Sequence, residues 1–264
     1  MQESKLFICP KCGKELNIRE RSYYCENGHC YDIARAGYVN LVLGSKRTPS
    51  GDGETSIAAR RNVMAAGYYN KLYEYIEQLP PKGAFLDIGT ADGSLPGRLS
   101  ELFPDVEFYG TDLSKFAIER AAKTYKKVCF AVANNAKLPF KEQSFDMLSA
   151  VFTTVFPAEI GRVLKRGGLF IKVTPGKDHL IELRRVLYDS VREKVADETL
   201  PHGFSHISQV DLQDKFFVGK DLMPELIRMT PYGVKSSKSR LNAAADGEGE
   251  ISLDFRVDIY RKED

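Results

Sequence analysis

The sequence predicts an α/β protein: a mostly parallel sheet flanked by helices, preceded by a small metal-stapled segment. Three observations carry this. A short apolar run, Ala84–Ile88, delivers the chain through Gly89 and Gly93 into a helix beginning near Ser94. Further apolar runs then alternate with amphipathic stretches in a βα rhythm. Four of the five cysteines fall within the first 30 residues, where so small a segment has little core of its own and needs a staple.

Length and composition set the bounds. A chain of 264 residues with 43% hydrophobic and 28% charged residues can bury one large core and carry a small appendage. The net charge of +2 forces no conclusion about nucleic acid, so any RNA surface must be a local patch. No stretch approaches the roughly 18 apolar residues of a membrane span, and Met1–Lys5 lacks the apolar centre of a signal peptide. The expectation is a cytoplasmic protein whose cysteines are metal ligands or free thiols.

In chain order, Cys9-Pro10-Lys11-Cys12-Gly13 is a zinc-knuckle signature. With Cys25 and His29 it forms C-x2-C-x12-C-x3-H, four donors suited to a closed tetrahedral zinc site with no open position for substrate. Cys30 adjoins His29 and competes with it as the fourth ligand. Gly44–Gly53 is rich in Gly, Ser and Pro and reads as a linker, with Lys46 and Arg47, then Arg60 and Arg61, able either to meet phosphates or to form a solvated basic surface. From Glu54 to Leu79 apolar residues recur at helical spacing, with a break at Gly67 and a stop at Pro80-Pro81. Such a helix can lay Tyr69 over a ligand, although most tyrosines in this setting only pack.

The first strand ends at Asp87-Ile88-Gly89. Twenty-five residues after Asp87, the run from Val106 ends at Asp112, where a carboxylate can accept hydrogen bonds from a ribose diol. Helices follow at Ser94–Phe103 and, capped by Ser114, at Ser114–Thr124. The third strand is Val128–Val132, and Asn134 in the loop beyond it is the candidate for a base edge. The fourth strand is Phe145–Phe152, and the Thr153-Thr154 loop after it should face bound ligands. A short helix, Ala158–Leu164, leads to strand five, Leu169–Thr174, and then to a long helix, Leu180–Ala196. His179 opens that helix, either at the cofactor, as an acid or base, or as a surface cap. A helix at Asp221–Arg228 and a strand at Ser252–Tyr260 complete the reading.

Gly89-x-x-x-Gly93 differs from the G-x-G-x-x-G of dinucleotide enzymes, whose middle glycine admits a pyrophosphate. A cofactor with a ribose and no phosphate fits better. Asp87-Ile88-Gly89 followed by Asp112 resembles the first motif and the ribose acid of class I methyltransferases, which use S-adenosylmethionine on a Rossmann-like sheet. The chain as a whole resembles the zinc-containing methyltransferases of guanine N1 in large-subunit ribosomal RNA. That resemblance covers nearly all of the chain. It rests on the Cys/His set, Gly37-Tyr38-Val39-Asn40-Leu41, Ala59-Arg60-Arg61, Leu86-Asp87-Ile88-Gly89, Leu138-Pro139-Phe140, Thr174-Pro175-Gly176 with His179, and Met229-Thr230-Pro231.

The resemblance implies structural zinc on Cys9, Cys12, Cys25 and His29, and cofactor contacts from Tyr69, the Gly93-Ser94 turn and His179. It implies a ribosomal RNA hairpin as partner, is compatible with a homodimer, and divides the chain into a zinc domain (1–43), a linker with connecting helix (44–81) and a methyltransferase domain (82–264). Two departures stand out. Ala91 takes the place of a glycine in the family's G-C-G-E-G turn, and Thr153-Thr154-Val155-Phe156 replaces a loop that usually contains Ala-Pro. The second departure leaves two other expectations open, a methyltransferase acting on a small molecule or protein and an RNA-binding protein that keeps the fold without turnover.

Overall fold

The computed structural model describes residues 4–44, 53–190, 203–232 and 236–263. Three short strands, β1 (Asn17–Arg19), β2 (Ser22–Tyr24) and β3 (Cys30–Asp32), form an antiparallel ribbon. The next strand, β4 (Tyr38–Asn40), belongs to the main sheet, where it pairs in parallel with β7 (Val128–Val132). The segment 1–43 therefore ends inside the sheet.

After α1 (Glu54–Ala65) and α2 (Asn70–Glu77) come β5 (Ala84–Ile88), α3 (Ser94–Leu102), β6 (Glu107–Asp112), α4 (Lys115–Thr124) and β7. The second half adds β8 (Phe145–Val151), α5 (Pro157–Val163), β9 (Leu164–Pro175), α6 (Ile181–Leu187), β10 (Phe204–Val218), α7 (Met223–Met229), α8 (Lys238–Ala245) and β11 (Gly249–Lys262). The eight-stranded sheet runs β10-β11-β9-β8-β5-β6-β7-β4. Strands β4 through β9 are mutually parallel and β11 is antiparallel to both neighbours. Chain order reverses direction between β5 and β8, so their carboxyl ends form the crevice in which open α/β sheets hold ligands. No described helix is long and apolar enough to cross a membrane.

Local chemistry explains several boundaries. The break between α1 and α2 falls at Gly67, whose φ of +97° suits glycine. Ser114 caps α4 by accepting from the Ala117 amide. Two expectations need correction. The helix expected over Leu180–Ala196 ends, in its described part, at Leu187: Tyr188 turns extended and its hydroxyl donates to the Tyr232 carbonyl at 3.3 Å. Residues 191–196 lie outside the described set. Leu180 itself has a φ of +55° and stands outside the helix.

The unexpected element is β10, a 15-residue edge strand. Its half-buried positions Ser208, Val210 and Leu212 alternate as a one-sided strand should, but a register shift between His206 and Ser208 breaks the pattern at its start. The sequence reading assigned no element to this segment.

Ribbon and sheet share one core. The Phe7 ring stacks on Phe140 at 5.1 Å and meets Tyr109 edge-on, and the Ile8 amide donates to the Pro139 carbonyl at 2.9 Å. Cys9, Leu16, Tyr23 and Cys25 thus continue the apolar cluster that holds Leu86, Phe145 and Phe170. Leu138-Pro139-Phe140 is the seam between the two.

Candidate active site and metal centre

Each knuckle of the ribbon closes on a glycine. Gly13 (φ +73°) donates to the Cys9 carbonyl and Gly28 (φ +77°) to the Cys25 carbonyl, turns that require left-handed backbone. The turns aim the side chains of Cys9, Cys12, Cys25 and His29 at one point, with all four donor atoms within 4.8 Å of one another. The Cys12 and Cys25 sulfurs are 3.7 Å apart, and His29 Nδ1 lies 3.4 Å from Cys9 Sγ and 3.3 Å from Cys25 Sγ. A tetrahedral zinc ion with bonds of about 2.3 Å to sulfur and about 2.0 Å to nitrogen requires separations of about 3.8 and 3.5 Å. The donor set fits zinc.

Cys30 is exposed and turned towards Asp32 at 3.9 Å, outside this cluster. Tyr31 lies 3.2 Å from Cys9 Sγ. Burial raises the Cys9 thiol, but the Tyr31 hydroxyl and the Lys11 and Cys12 amides outweigh it and bring the pKa to about 6. That favours the thiolate a metal needs.

The second site is a cleft of about 630 Å³ at the carboxyl ends of β5, β6 and β8, a size suited to a small-molecule cofactor together with part of a substrate. Asp112 forms one end. Its Oδ2 accepts from the Ala91 amide at 3.0 Å and its Oδ1 from the Ser114 amide at 2.8 Å. These contacts fix the direction of the carboxylate at the mouth of the cleft. Gly89 lines the floor with a φ of +69°, and a Cβ there would lie 2.4 Å from Thr153 Oγ1. That is a cradle a side chain would fill.

A smaller hollow adjoins the cleft, and Arg60, Gly89, Ala91 and Val151 belong to both. It is lined by Tyr69, Tyr73, Asp87 and Asp92. Asp87 is 4% exposed and accepts from Ser149 Oγ at 2.6 Å. Burial pushes its pKa up to about 6, with hydrogen bonding to Ser149 limiting the rise. A ligand ammonium held here would lose its partner as Asp87 takes up a proton. Cofactor affinity measured by calorimetry should therefore fall as pH drops from about 7 through about 6, and Asp87→Asn should remove that fall along with most of the affinity.

The structure thus brings Tyr69, Asp87, Gly89 and Asp112 to one cleft. Four other expected residues stand differently. Gly93 caps α3 at φ +75°, and a Cβ on it would press within 2.8 Å of Phe130 and Ala121, so it serves the turn. Ser94 Oγ donates to Asp92 at 2.7 Å and fixes the start of α3. Asn134 is exposed with Oδ1 accepting from the Ala136 amide, whereas its neighbour Asn135 lines the cleft.

His179 lines neither hollow. Its Nδ1 accepts from the Asp254 amide at 3.2 Å, which places the proton on Nε2 for donation to Tyr68 Oη at 3.0 Å. Burial drives its pKa down to about 4, so the ring is neutral. It packs at 5.1 Å on Phe152, which does line the cleft. His179→Ala should strand two buried polar groups and cost about 3 kcal/mol in urea unfolding. Because its folded pKa lies below the unfolded value, the wild type should also lose this contribution as pH falls from about 6.5 towards 4.

Backbone strain falls at the first departure in sequence and at the residue just before the second. Ala91 adopts φ +48°, left-handed backbone that costs an alanine about 1 kcal/mol. Phe152 has φ +53° and delivers Thr153 to the face of Gly89. Such strain collects at functional turns. Sequence reasoning assigned no role to Phe152, Asn135, or Met229–Pro231 of the outer wall. The Met229-Thr230-Pro231 motif was visible, but its neighbours in space were not.

Comparisons with known proteins agree with this architecture. Residues 7–46 match the zinc-ribbon model described as RlmA, N-terminal, and residues 85–168 match a methyltransferase domain. The chain is 33% identical to the 23S rRNA (guanine(748)-N(1))-methyltransferase of Streptomyces fradiae, over 96% of this chain and 95% of that one. It is 32% identical, over 96% of this chain and 95% of the other, to a Bacillus subtilis protein provisionally named a 23S rRNA (guanine-N(1)-)-methyltransferase. Among solved structures, one from work on converting a disulfide into a thioacetal during echinomycin biosynthesis superposes with a TM-score of 0.50. It covers 73% of this chain and 81% of its own at 15% identity, and speaks to the fold alone. With the ribbon, the sheet and the cleft all in place, the chain belongs to the zinc-containing 23S rRNA (guanine-N1)-methyltransferase family.

Proposed function

We propose that the protein transfers a methyl group from S-adenosylmethionine to N1 of a guanine in 23S ribosomal RNA. The observation that carries this is the two-part cleft, with Asp112 in the main hollow, Asp87 in the smaller one, and a wall formed by α1 and the loop after α7. S-adenosylmethionine supplies an electrophilic methyl group. Asp112 takes the ribose diol, Asp87 the ammonium, and Tyr69 and Gly89 hold the aliphatic part. Asn135 flanks the adenine edge. The sulfonium then lies where the two hollows meet, and Phe152 and Thr153 border the acceptor.

Guanine N1 sits on the Watson–Crick edge, so the base must be unpaired or flipped from its stack to enter. A hairpin loop presents such a base. The main contribution of the cleft is to align N1 with the methyl carbon and to exclude water. The ribbon, with no position open on its metal, grips RNA or braces the sheet, and a homodimer that places one hairpin between two ribbons is part of this reading.

The test incubates the zinc-loaded protein with labelled S-adenosylmethionine and 23S rRNA hairpin transcripts. The expected product is N1-methylguanine, read by mass spectrometry and by a primer-extension stop. Methyl transfer that RNA fails to compete away would point to another substrate, and RNA binding without any methylation would point to a non-catalytic protein.

A further inference from the structure

We propose that Arg60 binds O6 of the target guanine and stabilises the N1-deprotonated base. The inference rests on the guanine-N1 reading above. Arg60 stands on α1, half-buried, and is one of four residues that line both the main cleft and the smaller hollow. It therefore sits at the junction where cofactor and acceptor meet. It lies beside the Tyr69 hydroxyl, and its charge and hydrogen bonding work against the rise that burial imposes on that group's pKa.

The case is one of elimination as well as position. Guanine N1 carries a proton and becomes a nucleophile only on losing it. Among the described residues three carboxylates line the two hollows, and each is engaged at the cofactor end: Asp112 by the Ala91 and Ser114 amides, Asp87 by Ser149 and Asp92 by Ser94. On the acceptor side the lining residues are Arg60, Asn135, Thr153, Arg228 and the Met229–Pro231 segment. Asn135 Oδ1 is buried there with no hydrogen-bond partner among the described residues, but an amide oxygen is not a base. Arg228 is cationic but already paired with Glu225 and more than half exposed. What the acceptor side offers is positive charge.

A guanidinium against O6 acts on the base itself. Ionised guanine carries its negative charge over O6 and N1, and an adjacent cation lowers the pKa of such a group by about one to three units. The N1–H bond breaks and the proton leaves to water. The N1 lone pair then forms the bond to the methyl carbon, and the pair of the carbon–sulfur bond stays on sulfur. An anionic base and a cationic sulfonium become a neutral methylated base and a neutral thioether. Adenine, with an amino group in place of O6, would set a donor against the Arg60 donors.

The experiment measures single-turnover methylation of the 23S hairpin between pH 6.5 and 9.5 for wild type, Arg60→Met and Arg60→Lys. The protein groups facing Arg60 leave this window clear: Asp87 titrates near 6, Tyr69 is pushed to about 12 and Tyr73 well above 10 by burial. The wild-type rate should reach its plateau at lower pH than Arg60→Met, whose rise should shift upwards by one to three pH units. At pH 7 the Met variant should lose about 100-fold, as on removal of one donor to a developing oxyanion, and Arg60→Lys should recover part of this.

Two readouts besides turnover separate this role from a structural one. Calorimetric affinity for S-adenosylmethionine is measured for each variant, because Arg60 also borders the cofactor hollow, and the rates are compared at saturating cofactor. The absorbance of 6-thioguanosine placed at the modified position, which reports N1 ionisation, should titrate at lower pH in the wild-type complex than in free RNA and return to the free value with Arg60→Met. Wild-type N1 methylation with an unshifted profile in Arg60→Met would overturn the Arg60 role alone. Absence of N1-methylguanine with the wild type would overturn both the role and the reading beneath it.

Discussion

Removing zinc is expected to unfold the ribbon and to weaken the sheet it leans on. The three ribbon strands are three residues each and cannot bury enough apolar surface alone. In isolated zinc-finger peptides the metal contributes about 10–16 kcal/mol to folding at neutral pH. Loss of order in β1–β3 would free Phe7 from Phe140 and Tyr109, opening the face of the sheet that contains Leu86 and Phe145. Chelation, or Cys25→Ser, should therefore lower the melting temperature by at least about 5 °C and make the ribbon amides exchange freely. Cys30→Ser should do neither, because Cys30 lies outside the donor cluster. Zinc release by Cys30→Ser and not by His29→Ala would overturn the ligand assignment.

Asp112→Ala should abolish measurable cofactor binding. Hydrogen bonds to a charged group contribute about 1.5–3 kcal/mol each, so losing two from the ribose weakens binding by at least about 100-fold. The side chain also holds the Ala91 and Ser114 amides, and Ala91 is already in left-handed backbone. Its removal slackens the turn as well as the contact. Asp112→Asn keeps an acceptor for one amide and separates the two effects: affinity should fall while the melting temperature stays within about 2 °C of wild type. An unchanged dissociation constant in both variants would place the ribose elsewhere.

Much of the site was readable because its signals are local. The C-x2-C-x12-C-x3-H spacing requires two turns that glycines allow, and the structure closes both on Gly13 and Gly28. Asp87, Gly89 and Asp112 lie at strand ends, where period and turn chemistry fix position along the chain. The break at Gly67, the Ser114 cap and the third strand, Val128–Val132, follow for the same reason. The Ala91 conflict was also visible as a Cβ in a turn that needs positive φ.

What the sequence by itself determined, then, was the βα rhythm of the parallel strands, the clustering of Cys9, Cys12, Cys25 and His29, and the placing of Asp87 and Asp112 at strand ends. Each depends on residues a few positions apart, whose geometry the backbone enforces. Tertiary structure alone decided the rest. It placed β4 in the main sheet, added the long edge strand β10 and ended α6 at Leu187. It turned His179 into a neutral brace between Tyr68 and the Asp254 amide, and it brought Arg60, Asn135 and Phe152 to one cleft from three distant segments. Those outcomes depend on which surfaces meet, and burial is a property of the folded chain that no short stretch contains.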